Sequence, residues 1–145
     1  QLRIPVLVKT RVFETWEPTL KFAKDIVDAG ASVLTIHART RKEKRSAVQL
    51  ARWDFIKKLV DELGDRCTIV ANGNVRVRDD AVRCLDETGA DAVMSACALL
   101  ANPNLFAVDD GNIGRSIQNS FDEILEYLDF AQRYGATRPQ VTKHM

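Results

Sequence analysis

The sequence predicts an α/β fold: four parallel strand–helix units forming the second half of a (β/α)8 barrel of the TIM type, followed by the start of an α-helical domain. Three observations predict it. Apolar runs of strand length alternate with segments of helical period, a glycine stands where each of the first three helices must reverse, and each of the four strands ends in polar or small residues. Near-continuous apolar strands between amphipathic helices mean a parallel sheet covered by helices. A barrel sets its site at the C-terminal ends of all its strands, whereas an open doubly wound sheet uses mainly the point where strand order reverses. Site-like residues at all four strand ends favour the barrel. A whole barrel needs eight strands and about 250 residues, so four units make half of one.

The first strand is Ile4-Pro5-Val6-Leu7-Val8-Lys9. Its helix runs from about Glu17 to Ala29, with Pro18 suited to the first turn, Leu20, Ala23, Ile26 and Val27 along one face, and Gly30 as the stop. The second strand is Ser32-Val33-Leu34-Thr35-Ile36-His37, followed by a helix from about Ala51 to Leu63 and then Gly64. The third, Cys67-Thr68-Ile69-Val70-Ala71-Asn72, leads to a helix over Val77–Thr88 ended by Gly89. The fourth is Asp91-Ala92-Val93-Met94-Ser95. Past Pro103 the pattern changes: 109–114 reads as a loop, and Ser116 to Tyr134 reads as a helix with Ile117, Phe121, Ile124, Leu125, Leu128 and Ala131 on one side. A further helix start follows Pro139 but stops too soon to complete.

Composition sets the outer limits. The chain has 145 residues, 46% of them hydrophobic, and a net charge of +1, enough for one core and no advertisement of a polyanion partner. No run of eighteen apolar residues occurs, which excludes a helical membrane span. Three cysteines (Cys67, Cys84, Cys97) form no CxxC pair and fit a reducing setting, with the cytoplasm as the expected location and the nucleus as the alternative. Cys67 and Cys84 read as small core residues, while Cys97 falls at a strand–helix junction. The opening Gln1-Leu2-Arg3-Ile4-Pro5 enters directly on a strand-like run, as a domain joined part way would.

Alternation along a strand puts Lys9 and Arg11 on one face, and Val33, Thr35 and His37 on one face of the next. An ammonium at the mouth of a barrel can hold an anion or stabilise developing charge; a lysine that merely ends a strand is the alternative. His37 at its strand's end can donate to an acceptor or act as acid or base, or serve only as a structural hydrogen-bonder. The following loop, Arg39-Thr40-Arg41-Lys42-Glu43-Lys44-Arg45, sets five cations around one carboxylate. Such a run is either a solvated loop or a grip on a polyanion's backbone. Asn72-Gly73-Asn74 allows positive φ and close backbone approach, suited to a phosphate or to an ordinary turn. Ser95-Ala96-Cys97-Ala98 also precedes a helix start.

The order of these segments carries more than any one of them. Lys9-Thr10-Arg11-Val12-Phe13, Leu34-Thr35-Ile36-His37-Ala38-Arg39-Thr40, Ala71-Asn72-Gly73-Asn74, Asp91-Ala92-Val93-Met94-Ser95-Ala96 and Asn102-Pro103-Asn104-Leu105-Phe106 together resemble the tRNA-dihydrouridine synthase family, most of all its eukaryotic branch for D-loop positions 16 and 17. The resemblance runs from Ile4 to Phe106 and more loosely through Glu126-Tyr127-Leu128. It implies an FMN-binding half-barrel over residues 1–108, then a linker and the start of a helical tRNA-binding domain over 109–145. It further implies reduction of the uridine C5–C6 bond in tRNA, with NADPH recharging the flavin.

By position, Lys9 matches the family lysine at the flavin's N1/O2 edge, and His37 matches the flavin-contacting histidine. Asn72, Gly73 and Asn74 match the phosphate-side loop, to which Ala96 and Cys97 would add backbone amides. These last two fall where many relatives carry Gly-Arg and the nearer branch Ala-Glu, a departure that puts a side-chain contact from Cys97 in doubt. Arg11, Arg39, Arg41, Lys42, Lys44 and Arg45 would face RNA. The family's Asn-x-Gly-Cys-Pro motif, whose cysteine protonates uridine C5, does not occur in this sequence. The resemblance therefore places that acid, and the other half of the barrel, in a preceding segment or a second chain, and leaves these residues alone inactive. Two other readings remain open: a different FMN-dependent barrel oxidoreductase, such as a relative of dihydroorotate or dihydropyrimidine dehydrogenase, and a non-catalytic RNA-binding remnant.

Overall fold

The computed structural model describes residues 4–43, 50–106 and 117–144. Four strands form one parallel sheet: β1 (Leu7–Arg11), β2 (Val33–His37), β3 (Thr68–Asn72) and β4 (Ala92–Met94), in the order β1-β2-β3-β4. Between them run α1 (Trp16–Asp28), α2 (Trp53–Leu63) and α3 (Arg78–Thr88), and α4 (Cys97–Ala101) follows β4. Strand order never reverses, so the sheet has no switch point of the doubly wound kind.

The helices cover one face only. Leu34, Ile36, Ile69 and Ala71, which alternate along β2 and β3, join Ala23 and Val27 of α1, Ile56, Leu59 and Leu63 of α2, and Ala81 and Cys84 of α3 in one core. Each fully buried Leu or Ile there contributes about 1.5–3 kcal/mol relative to an exposed one. The opposite face presents Leu7, Lys9, Thr68 and Ala92 as exposed residues, and Leu7 keeps 69% of its surface open. A sequentially ordered parallel sheet with helices on a single side is the geometry of a barrel wall.

Helix starts and stops show the local logic. α2 buries Phe55, Ile56, Leu59 and Leu63 at helical spacing. Of the three expected reversal glycines, Gly30 and Gly89 take positive φ (97° and 70°). Gly64 remains helical at φ −57°, so there the chain turns instead through Asp65 and Arg66, with Arg66 and Cys67 N–H groups donating to Leu63 O.

At the start of α3 the Asp80 carboxylate accepts from the N–H groups of Arg76 (3.0 Å) and Val77 (3.3 Å) and from Arg83 (2.6 Å). Burial pushes the Asp80 carboxyl upward, but these N–H donors and the Arg76 and Arg83 charges outweigh it and hold it below its ordinary value. A depressed folded pKa means that this contribution is present above the unfolded pKa and disappears as pH falls through the folded one. Asp80→Ala is expected to cost about 1–2 kcal/mol at neutral pH, and less in acid. Urea unfolding of the two proteins at both pH values measures the difference; a cost that does not shrink in acid would contradict the assignment.

The chain divides into two compact units, Gln1–Phe106 and Ala107–Met145. The second contains α5 (Ile117–Arg133) and α6 (Arg138–His144). On α5, Phe121, Ile124, Leu125 and Leu128 are exposed and Ala131 is buried. The expected loop at 109–114 lies outside the described residues. The helix start expected after Pro139 is present as α6, which begins one residue before that proline, at Arg138, and continues to His144. The reason is a cap: Thr137 N–H and its hydroxyl both donate to Gln140 Oε1 at 2.8 Å, the Gln half of a Thr-x-x-Gln capping box.

Candidate active site at the strand ends

The parallel register sets Arg11, His37, Asn72 and Met94 side by side in one row across the sheet's C-terminal edge, with Lys9, Thr35 and Val70 one step below. Because side chains alternate, these residues all belong to the face that the helices leave uncovered.

His37 is the centre of the cluster. Its Nε2 lies 3.2 Å from an Arg39 Nη. A guanidinium nitrogen only donates, so this contact is a hydrogen bond in the tautomer whose Nε2 accepts. Burial lowers the His37 pKa, the cations Arg11, Lys9 and Arg39 lower it further, and Glu43 opposes them; the result is about 4. The imidazole is therefore neutral across the physiological range and presents one N–H. Lys9 is lowered by burial and then by Arg11. Arg39 is lowered by the same two causes, against opposition from Glu43 and Cys97. Cations that depress one another are relieved when an anion binds among them.

Arg39 corrects one expectation. It does not face outward toward RNA: it is buried, with 5% of its surface exposed. Its second nitrogen donates to Asn74 Oδ1 at 2.6 Å. Asn74 has φ 64° and is held there by Ala51, whose N–H donates to Asn74 Oδ1 at 3.0 Å and whose carbonyl accepts from Nδ2 at 3.2 Å. The Asn74 side chain is thus committed within the protein. Asn72 is buried and donates through Nδ2 to Met94 O at 2.8 Å, tying β3 to β4.

Between these asparagines Gly73 adopts φ 115°, and a Cβ placed on it would lie 2.8 Å from Ala51 Cβ and 3.2 Å from His37 Cδ2. Glycine is required twice over, by its dihedral and by the packing of the ring against it. Gly73 O accepts from Trp53 Nε1 at 3.1 Å. Trp53 and Ala51 thus support the site from the start of α2, and sequence reading missed both as site residues. The signal available for Trp53 was its indole N–H, which needs a partner when half buried.

The other expected residues separate into two groups. Arg11 is half-buried and drawn toward the cluster, donating to Thr40 O at 2.9 Å. Arg41 is exposed, and Lys42 is an exposed cation paired with Glu14 at 2.7 Å. Glu43 turns inward, accepting from the Thr40 N–H and lying 3.8 Å from Arg52. Lys44 and Arg45 lie outside the described residues. Ala96 and Cys97 are exposed at the start of α4, and Cys97 is close enough to act on the Arg39 charge. Cys67 and Cys84 are buried and burial raises both thiols, Cys84 to about 11, which keeps them unreactive.

Among the described residues there is no group of three or more His, Cys, Asp or Glu that could hold a metal ion, and no helix long and apolar enough to cross a membrane.

Comparison with known proteins converges on one family. The model for the dihydrouridine synthase (Dus) family matches residues 1–143. A tRNA-dihydrouridine(16/17) synthase of Saccharomyces cerevisiae, with NAD(P)(+) in its name, is 40% identical over 142 residues, covering 97% of this chain and 34% of the relative. Its counterpart in Schizosaccharomyces pombe is 35% identical over 134 residues, 92% of this chain and 34% of the relative. A similarly named "-like" protein of Rattus norvegicus is 34% identical over 145 residues, 100% of this chain and 31% of the relative. The chain thus spans about a third of the length of the curated relatives it matches. With a family match over nearly every residue, and a parallel strand–helix sheet whose polar strand ends form one cationic cluster, the chain belongs to the dihydrouridine synthase family.

Proposed function

We propose that this chain supplies the phosphate-side and cationic part of an FMN site in an enzyme that reduces uridine in tRNA to 5,6-dihydrouridine, with NADPH as the reductant. The observation that carries the reading is the row at the strand ends: neutral His37 with one N–H to give, surrounded by Lys9, Arg11 and Arg39. The residues fit an anionic, phosphate-bearing cofactor. Repelling cations want an anion, and Gly73 at φ 115° lets the backbone of this loop pack directly against the His37 ring that borders them. When bound, FMN supplies the hydride for the uridine C5–C6 bond and NADPH restores it.

This chain's own residues would bind and orient. Lys9 would hold negative charge on the ring system, and His37 would donate through Nδ1–H. Backbone N–H groups of Gly73, Asn74, Ala96 and Cys97 would meet the phosphate, with Asn72 holding that loop to β4. The residues of the uncovered sheet face would meet the remaining strands of the barrel. Protonation of uridine C5 is left to groups outside this chain, since its cysteines include no Asn-x-Gly-Cys-Pro motif.

Arg41 and Lys42 remain as the outward part of the basic loop. In the full polypeptide carrying this chain, dihydrouridine is expected to form in tRNA given FMN and NADPH. Arg41→Gln with Lys42→Gln is expected to flatten the dependence of log affinity on log salt by about 0.7–0.9 for each tRNA phosphate that these two cations neutralise. Absence of dihydrouridine sinks the function, and an unchanged salt slope removes this loop from the RNA interface.

A further inference from the structure

We propose that Arg39 is a positioning residue that fixes His37 in its Nδ1–H tautomer, so that the ring offers a ligand a hydrogen-bond donor. The inference rests on the reading above that His37 faces the cofactor, but its physical basis is independent of the reaction. A histidine side chain free in water prefers the proton on Nε2. In this protein the Nε2 position is met by an Arg39 nitrogen at 3.2 Å, and a proton on Nε2 would set two donors against each other. The Nδ1 form is the one that satisfies both partners.

The guanidinium is itself fixed. Its other nitrogen donates at 2.6 Å to Asn74 Oδ1, and Asn74 is clamped by both backbone groups of Ala51. Gly73 closes the remaining side of the ring, lying against Cδ2. With Cδ2 against Gly73 and Nε2 on Arg39, the Nδ1 edge is the one left to face a ligand, and among the described residues no side chain or backbone group takes it. The chain of contacts Ala51–Asn74–Arg39–His37 thus converts a loop's backbone position into the direction of one proton. Charged and titratable groups that bear on the ring are Lys9 and Arg11 from β1, and Arg39 and Glu43 from the loop after β2; Cys97 from the start of α4 bears on it through Arg39.

The test is ¹⁵N NMR of histidine side chains in the full polypeptide, without tRNA or nicotinamide, with the His37 signals identified by their loss in His37→Gln. In the wild type the Nδ1–H form is expected to hold at neutral pH and down to the approach of the titration near 4. Arg39→Met, close in length and unable to donate, is expected to turn the major form to Nε2–H and move the titration upward. Arg39→Lys, which keeps a donor, should retain the Nδ1–H form. Where Arg39→Met fails to fold, Asn74→Gly keeps the left-handed backbone while removing the carboxamide, and is expected to give a mixture of the two forms. An Nε2–H ring in the wild type overturns the proposal, as does an unchanged ring in whichever of Arg39→Met and Asn74→Gly folds. Because the readout needs no turnover, its failure is distinct from a failure to find dihydrouridine in tRNA.

Discussion

Replacing Lys9 with methionine is expected to slow the flavin half-reactions by about 10²–10³-fold while leaving tRNA affinity nearly unchanged. Lys9 stands one step below the Arg11–His37–Asn72 row, paired with Thr35 on the uncovered face of the sheet. Burial first, and then the Arg11 charge, already makes its protonated form less favourable than in water. An anion formed beside it would restore that form, so in the proposed site the ammonium would interact more strongly with a reduced, negatively charged ring than with an oxidised neutral one. That difference between states is what accelerates a step; equal attraction to both would only tighten binding. Methionine keeps the length of the chain and removes the charge. Rapid-mixing absorbance of the flavin, with tRNA binding measured separately, checks the prediction. Equal losses in rate and tRNA affinity would assign Lys9 to binding instead.

Gly73→Ala is expected to cause the largest stability loss of any single methyl group added at this site, about 2–6 kcal/mol from two sources. A non-glycine residue at φ 115° carries backbone strain of about 1–3 kcal/mol. The added carbon would also lie 2.8 Å from Ala51 Cβ and 3.2 Å from His37 Cδ2, and overpacking of that kind adds about 1–3 kcal/mol. Neither neighbour yields readily. Ala51 is held to Asn74 through both its backbone groups, and His37 is held by Arg39. The substitution should therefore also displace the ring and weaken FMN retention. Denaturant midpoints together with the flavin content of the purified protein measure both effects; a Gly73→Ala protein with wild-type stability would show that this loop is free to rearrange.

Much of the scaffold was legible in the chain because burial leaves a period. Leu34, Ile36, Ile69 and Ala71 alternate as strands do, and Ile56, Leu59 and Leu63 repeat as a helix does, so elements and their inward faces could be named before any packing was known. The strand-end residues were legible for a related reason, since polar groups that interrupt an apolar run mark where the sheet meets solvent. Of the helix after Thr137 only a start was legible, because its Thr-x-x-Gln cap is a pairing of side chain with backbone and leaves no hydrophobic repeat.

The division at the site is sharper. By itself the sequence determined that Lys9, Arg11, His37 and Asn72 end consecutive parallel strands, and hence that they gather on one edge. It could not determine which cations turn outward. Within the run of charge after β2, Arg39 is buried on His37 and Asn74, Glu43 folds back on Thr40, and Lys42 pairs with Glu14, although all three are charged residues with nothing in the letters to tell them apart. The partners that decide this, Asn74, Ala51 and Glu14, lie between 23 and 35 residues apart along the chain from the groups they hold or from one another. Hydrogen bonds are directional and short, so which of them form depends on where distant loops come to rest, and only the tertiary structure places those loops.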